Sequence, residues 1–418
     1  MEPVRLPRGT VDLTGDLLAR HRAVEQMAHE TFGAAGYGEI RTPVFEETRL
    51  FSRAIGETTD VVEKEMFTIP REGEPYSLRP EGTASVVRWY LENKLDSAAP
   101  FQKVFYVGPM FRYERPQAGR QRQFSQVGIE ALGSADPRLD AEVISLLDRF
   151  FRRLGIEGHE MRLNTLGGSE ERAEVRAKLL EALEPRRADL CPDCGRRIDR
   201  NVFRVLDCKK ETCREIAAGL PRLPDLVSAE SREHYETVKG MLADLGVATS
   251  EDPFLVRGLD YYTHTVFEAV HSALGAQDSI CGGGRYDGLV SQFGGPETPA
   301  TGFAVGVERV LLVLEKLGVD PVKAAPGLDA YVVSVKPEGR PETFKLVNEL
   351  RDAGLATDAD FEGRGMKAQM KKAARGNAAR ALILGPGEIE RGTVTVRDME
   401  TGEQVERPRE GLVEFLQE

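Results

Sequence analysis

The chain has 418 residues, 41% hydrophobic and 30% charged, with a net charge of −12. That length suits two or three domains with ample core, and no uninterrupted apolar run is long enough to cross a membrane. The acidic balance excludes an indiscriminate nucleic-acid coat protein, but an RNA partner can still bind through a local basic patch. The start, MEPVRLPRGTVDL, has no apolar core of a secretory signal, so a cytoplasmic location is expected.

Residues 14–35 place Leu17, Leu18, Val24, Met27 and Ala28 at helical spacing, and Gly36 and Gly38 end the pattern. EIRTPVFEETRLF (39–51) begins as a strand that Pro43 limits. YSLRPEGT (76–83) reads as a strand running into a helix with Thr83 as its cap. Glu81 and Thr83 then stand at a strand-to-helix corner, where the carboxylate either meets a ligand's ammonium group or caps the helix.

Residues 102–132 read as a hairpin around a turn rich in Pro, Gln and Gly, with Arg112, Arg115, Arg120 and Arg122 around it. In its second strand Phe124, Gln126, Gly128 and Glu130 share one face, and Val127, Ile129 and Ala131 the other. The first set suits a floor under a small polar ligand, with Gly128 leaving space between an amide and a carboxylate. Arg112 shares a face with Glu114, and a guanidinium on a rigid strand suits bidentate capture of phosphate. An edge hairpin with solvated arginines is the plainer alternative.

A helix is expected over 137–154, then a strand MRLNTL ending at Gly167 and Gly168. From 169 to 249 charge density rises and the apolar spacing turns helical, which predicts an inserted helical domain starting at Ser169, Glu170 and Glu171. Within it lies CPDCGRRIDRNVFRVLDCKKETC (191–213), whose Cys191, Cys194, Cys208 and Cys213 fit a structural zinc site. Four reduced, partly buried thiols are the alternative, and Cys281 reads as a small buried residue.

DPFLVRGLDYYTHTVFEAV (252–270) returns to a strand pattern carrying Arg257, Asp260, Tyr261 and Tyr262. SICGGGRYDGLV (279–290) has three glycines that let other groups approach closely, but it is no P-loop. TGFAVGVERVLLVLEKLG (301–318) opens with small residues and becomes an apolar helix with Glu308 and Arg309 at its start. Pro321, Pro326 and Gly327 mark a linker, and the remainder alternates strand and helix as a small α/β domain. In its basic helix Lys367, Lys371 and Arg375 fall at i, i+4 and i+8, a solvated stripe or an RNA-backbone contact.

FRYERPQAGRQRQF, LVRGLDYYTHTVFE, GGGRYDGLV and GFAVGVERV, in that order, resemble the motifs of class II aminoacyl-tRNA synthetases. RGLDYY and GGGRYDGL narrow the resemblance to the histidyl-tRNA synthetase family, over almost the whole chain. The resemblance implies an α+β catalytic domain with a six-stranded antiparallel sheet (1–168 and 250–320) and a helical insertion (169–249) that reaches the tRNA acceptor arm. It further implies a linker (321–328), a C-terminal α/β anticodon-binding domain (329–418), and a homodimer formed in the region of EIRTPVFEETRLF. The implied activity is ATP-dependent ligation of histidine to tRNA(His) through a histidyl-adenylate, with magnesium bridging phosphates. Arg112, Arg257 and Arg309 would act on the phosphates, with Arg120 also on ATP. Glu81, Thr83 and Gln126 would hold the α-amino end of histidine, and Glu130 and Tyr262, with Tyr261 beside them, its imidazole. Arg115 and Gln117 would face the tRNA acceptor end. Relatives often carry His where Ser125 stands, and the cysteine cluster is not general to the family. A synthetase-like regulatory subunit that binds histidine without charging tRNA is the competing reading; it would be expected to lack the anticodon domain and some of these arginines.

Overall fold

The computed structural model describes residues 3–56, 59, 61–275, 278–322 and 327–417. Its chain divides into two compact units, Met1–Val322 and Lys323–Glu418. Pro321 and Gly327 flank the division, whereas Pro326 and the rest of 323–326 lie outside the described residues.

The strands of the first unit are β1 (Gly38–Glu39), β2 (Phe45–Glu47), β3 (Thr68–Ile69), β4 (Tyr76–Leu78), β5 (Gln102–Phe111), β6 (Gln123–Leu132), β7 (Glu160–Thr165), β8 (Thr249–Glu251), β9 (Thr263–Val270), β10 (Ser279–Arg285) and β11 (Ala300–Gly306). Eight of them form one mixed sheet in the order β1-β5-β6-β11-β10-β9-β7-β8. The expected six-stranded antiparallel sheet is therefore corrected. Its six central strands pair antiparallel, but β1 joins β5 and β8 joins β7 in parallel at the two edges. Those edge strands span two and three residues, too short for a period-2 pattern to show. Each is separated from its partner by a long excursion of chain, as parallel pairing requires.

EIRTPVFEETRLF is not one strand. It breaks at Pro43 into β1 and β2 and then enters the helix Thr48–Ile55. The helices Gly15–Gly33, Pro137–Leu154 and Val307–Leu317 lie where helical spacing places them. They cover the apolar face of the hairpin: Val127, Ile129 and Ala131 share one buried cluster with Phe32, Ile144, Phe151 and Val310. The opposite face of the sheet carries the polar groups.

Between β7 and β8 the chain forms six α-helices, Arg172–Leu183, Pro192–Arg200, Phe203–Leu206, Glu211–Ala218, Leu223–Leu226 and Ala229–Asp244, and a 3-10 helix, Glu184–Asp189. Ser169 and Glu170 do not start the first of them. Glu171 has a better use for its carboxylate, accepting from the Ser228 N–H at 2.7 Å and from the Ser228 hydroxyl at 3.0 Å, and so ties the two ends of this segment together.

In the second unit β12 (Ala330–Ser334), β13 (Thr357–Ala359), β14 (Arg380–Leu384), β15 (Thr393–Asp398) and β16 (Gln404–Pro408) form a sheet of order β13-β12-β14-β15-β16. The helix Met366–Arg375 buries Ala373 and Gln369 against it and leaves Lys367, Lys371 and Arg375 exposed. Gln369 holds the buried side of this helix to the sheet: its amide accepts from the Ser334 N–H at 2.9 Å and donates to the Ser334 carbonyl at 3.0 Å, while Met366 is exposed.

Candidate active site

The site is built on a floor of glycines. In the sheet Gly128 pairs with Ala304, and Ala304 with Gly282; two residues further along β6 Glu130 pairs with Gly302. A Cβ on Gly128 would lie 2.4 Å from the Tyr106 ring, one on Gly302 2.1 Å from Glu130 Oε2, and one on Gly282 1.3 Å from Arg257 Nη2. Each glycine thus gives its space to a side chain laid flat over the strands. The space over Gly128, expected to serve a ligand directly, is filled by Tyr106.

Glu130 is at the centre. It is 1% exposed, and its carboxylate accepts from Thr83 Oγ1 at 2.7 Å and from the Tyr286 hydroxyl at 2.5 Å, with the Tyr106 hydroxyl at 3.5 Å. Burial, against the pull of these hydroxyls, pushes its carboxyl up to about 8. The sign of the consequence is fixed. An unfolded glutamate titrates at about 4.3, so between that pH and 8 the folded protein holds a proton that the unfolded chain has released. Without ligand, stability should therefore fall as pH rises through this window. Thermal unfolding of the wild type and Glu130→Gln from pH 5 to 8 checks this: the slope should be shallower in the amide variant, and an equal slope would contradict the assignment.

Thr83 is the first residue of the helix Thr83–Glu92 and gives it no side-chain cap; its hydroxyl goes to Glu130. The capping role falls to Glu81, whose two oxygens accept from the Thr83 N–H at 2.6 Å and the Ala84 N–H at 2.9 Å. Burial nevertheless holds the Glu81 carboxyl above its ordinary range. Gln126 is 8% exposed, and its Oε1 is buried without a hydrogen-bond partner.

Residues 252–262 are not strand, because β9 begins only at Thr263. The loop they form crosses the sheet and carries Arg257, Tyr261 and Tyr262 into the site. Arg257 Nη1 donates to Glu268 Oε1 at 3.0 Å, while its Nε is buried and unpartnered. Tyr261 packs at a tilt of 46° against Tyr262 with ring centroids 4.7 Å apart and meets Tyr286 edge-on at 5.7 Å. Tyr286 is fixed from behind: Arg285 is 1% exposed, its Nε bonds Asp140 Oδ2 at 3.1 Å, and Asp287 accepts from the Ala300 N–H at 2.9 Å.

The remaining arginines stand toward the hairpin loop. β5 ends at Phe111, so Arg112 lies one residue past the strand, though its N–H still bonds the Arg122 carbonyl at 2.9 Å. Its Nε donates to the Pro80 carbonyl at 2.9 Å, and its Nη1 lies 3.8 Å from Glu114. Arg120 meets the same Glu114 at 3.3 Å. Glu308 and Arg309 do not pair with each other: Glu308 accepts from the Ser125 N–H at 2.8 Å, and Arg309 Nε donates to the Ser279 carbonyl. A Cβ on Gly119 would lie 3.5 Å from the Arg309 side chain, so the turn sets Arg120 beside Arg309, and burial and Arg120 both lower the Arg309 guanidinium. Arg115 and Gln117 are exposed in the turn, which Gln117 and Arg120 close by mutual backbone hydrogen bonds of 3.0 and 2.9 Å.

Sequence reasoning assigns no role to Tyr106, Tyr286 or Glu268. Tyr106 leaves a trace only in the glycines it requires, Gly82 and Gly128. Tyr286 is visible within GGGRYDGL but carries no chemical signal by itself.

Away from this floor, the Sγ atoms of Cys191, Cys194, Cys208 and Cys213 all lie within 4.8 Å of one another, with Cys191 and Cys208 at 3.9 Å. A tetrahedron with metal–sulfur bonds of about 2.3 Å has sulfur–sulfur edges of about 3.8 Å. The donor set and its spacing fit zinc, and no disulfide joins these thiols.

The profile of the family described as histidyl-tRNA synthetase matches residues 9–310, and that of an anticodon binding domain matches 329–418. The chain is 46% identical to a protein named histidine–tRNA ligase from Geobacillus sp. (strain WCH70), over 99% of each chain. A protein of the same name from Desulforamulus reducens is 46% identical over 98% of each. The crystal structure of apo S. aureus histidyl-tRNA synthetase aligns over 100% of both chains at 36% identity, with a TM-score of 0.84.

Proposed function

The chain belongs to the histidyl-tRNA synthetase family, and from that premise we infer what each group of the site does. The reaction is ATP-dependent ligation of histidine to tRNA(His) in two steps. A carboxylate oxygen of histidine attacks the α-phosphorus of ATP, and pyrophosphate leaves. The 3′-hydroxyl of the terminal tRNA adenosine then attacks the acyl carbon, and AMP leaves.

Charge accumulates on phosphate oxygens in the first step, so fixed cations supply the stabilisation. Arg112 and Arg257 hold the α-phosphate, and Arg309, with Arg120 beside it, the outer phosphates. Magnesium bound with ATP offsets the charge of the leaving pyrophosphate. Glu81, Thr83 and Gln126 hold the α-amino end of histidine. Glu130 and Tyr262, with Tyr261 packed on it, read the imidazole, a ring that donates through one nitrogen and accepts through the other. One observation carries these roles: Gln126 Oε1 and Arg257 Nε are buried beside the glycine floor with no protein partner. Such groups are costly unless a ligand satisfies them.

Arg115 and Gln117 are placed at the tRNA acceptor end, and residues 329–418 on the anticodon arm. A homodimer, a cytoplasmic location where ATP and tRNA occur together, and the division into catalytic (1–168, 250–320), inserted (169–249), linker (321–328) and anticodon-binding parts belong to the same proposal. So does a structural zinc ion on the four thiolates. A regulatory subunit without ligase activity is not favoured, since Arg112, Arg257, Arg309 and the C-terminal unit are all present.

Charging of tRNA(His) with labelled histidine tests the assignment directly, and absence of acylated tRNA in the presence of ATP would refute it. The C-terminal role has its own test. Reversing Lys367, Lys371 and Arg375 to Glu should raise the KM for tRNA by about tenfold or more and flatten its salt dependence. Histidine-dependent pyrophosphate exchange should stay unchanged; a fall in exchange equal to the fall in charging would point to damage elsewhere.

A further inference from the structure

The four-thiol cluster sits at the root of two arms that reach the loop carrying Arg257, Tyr261 and Tyr262. Cys191 is the N-cap of the helix Pro192–Arg200, and Asn201 is its C-cap. The Asn201 side-chain amide donates to Asp260 Oδ1 at 2.7 Å, next to the two tyrosines in sequence. Asp260 is held from its other side by its own N–H, which donates to the Ile55 carbonyl at 3.1 Å. The second arm is Arg172, whose Nη1 donates to the Tyr262 carbonyl at 2.9 Å. Its guanidinium lies 5.3 Å from the Phe203 ring, and Phe203 opens the short helix that leads to Cys208. Cys194, Cys213, Phe203, Val205 and Leu206 share one buried apolar cluster with Leu255, Val256, Tyr261 and Tyr262.

The stretch between the cysteines cannot hold this geometry through its helices alone. They are nine, four and eight residues long, below the length at which an isolated helix persists. A zinc ion displacing the thiol protons of Cys191, Cys194, Cys208 and Cys213 would close the stretch at both ends, fixing Asn201 against the loop directly and Arg172 through the Phe203 ring. Arg257 has anchors of its own on the sheet, Glu268 and the space over Gly282. The tyrosine end of the loop is held by Tyr286, the Ile55 carbonyl and the shared apolar cluster, and from the cysteine side by Asn201 and Arg172.

We propose that zinc at these four cysteines positions the 255–262 loop through the Asn201–Asp260 and Arg172–Tyr262 contacts, and thereby sets the affinity for histidine. This rests on the zinc reading given above and assigns the metal a positioning role, with no part in the chemical steps. Removing the metal should raise the Kd and KM for histidine by roughly tenfold, as a loosened site does. kcat at saturating histidine should change much less.

The experiment uses the full chain. Zinc per chain is measured by elemental analysis, and histidine binding by calorimetry before and after metal is stripped with a chelator. Asn201→Ala is measured in parallel with its zinc retained, so the proposal remains decidable if the stripped protein unfolds. One zinc per chain, weaker histidine binding after stripping, and weaker binding in zinc-loaded Asn201→Ala with kcat largely kept would support it. No zinc, even after purification with zinc supplied, would overturn the metal reading and the proposal together. One zinc per chain with histidine affinity unmoved by Asn201→Ala would overturn the positioning role and leave the zinc site standing.

Discussion

Arg257→Ala should lower histidine-dependent pyrophosphate exchange by on the order of 10³-fold, the size of effect expected when a fixed group that stabilises transition-state charge is removed. Arg257 lies over Gly282 and is paired with Glu268, so its position depends on the strand beneath it. A methyl group on Gly282 would stand 1.3 Å from Nη2, which leaves the guanidinium no choice but to move. Gly282→Ala should therefore lose nearly as much exchange as Arg257→Ala while keeping every charge. The double variant should be scarcely worse than either single one, because both remove the same interaction. Histidine binding, followed by calorimetry, should survive in Arg257→Ala. Additive losses in the double variant would mean that Gly282 acts on something other than Arg257.

Glu130→Ala should weaken histidine binding by on the order of 10³-fold, since it removes the group read as partner of the ring and leaves buried hydroxyls unpaired. Its pH dependence carries more information than its size. With the Glu130 carboxyl raised to about 8 by burial, the free site is protonated at neutral pH. Free histidine loses its ring proton at about 6.5. One proton is then shared between ring and carboxyl in the complex, whichever partner brings it. Affinity should be flat between those two values. It should fall below the window, where a proton must leave, and above it, where one must be taken up. Glu130→Gln should keep the lower limb and lose this part of the upper one. An upper limb unchanged in the variant would assign the titration to another group.

Much of this site is legible in the order of its residues. The β6 alternation puts Gln126 and Glu130 on one face because a strand's period of two is strict. The apolar face opposite is equally plain. The triple glycine shows that something approaches β10 closely, but not what: the identity of Arg257 as the occupant of Gly282's space is a contact between distant parts of the chain. For the same reason Tyr106 and Tyr286 stay hidden, since a hydroxyl's partner 24 or 156 residues away leaves no local pattern. Thr83 has the type and place of a helix cap, whereas Glu81 two residues earlier does that work. The loop 252–262 resembles a strand in its apolar and aromatic content, yet its polar groups are used in crossing the sheet. The two short edge strands are illegible because two or three residues cannot display a period.

The central claim is that this site activates histidine and no other amino acid. Amino-acid-dependent ATP–pyrophosphate exchange, run with each of the twenty amino acids, tests it most directly. Exchange with histidine alone is the predicted result. Histidine binding without exchange would contradict it and bring forward a regulatory protein that has kept the pocket and lost the chemistry.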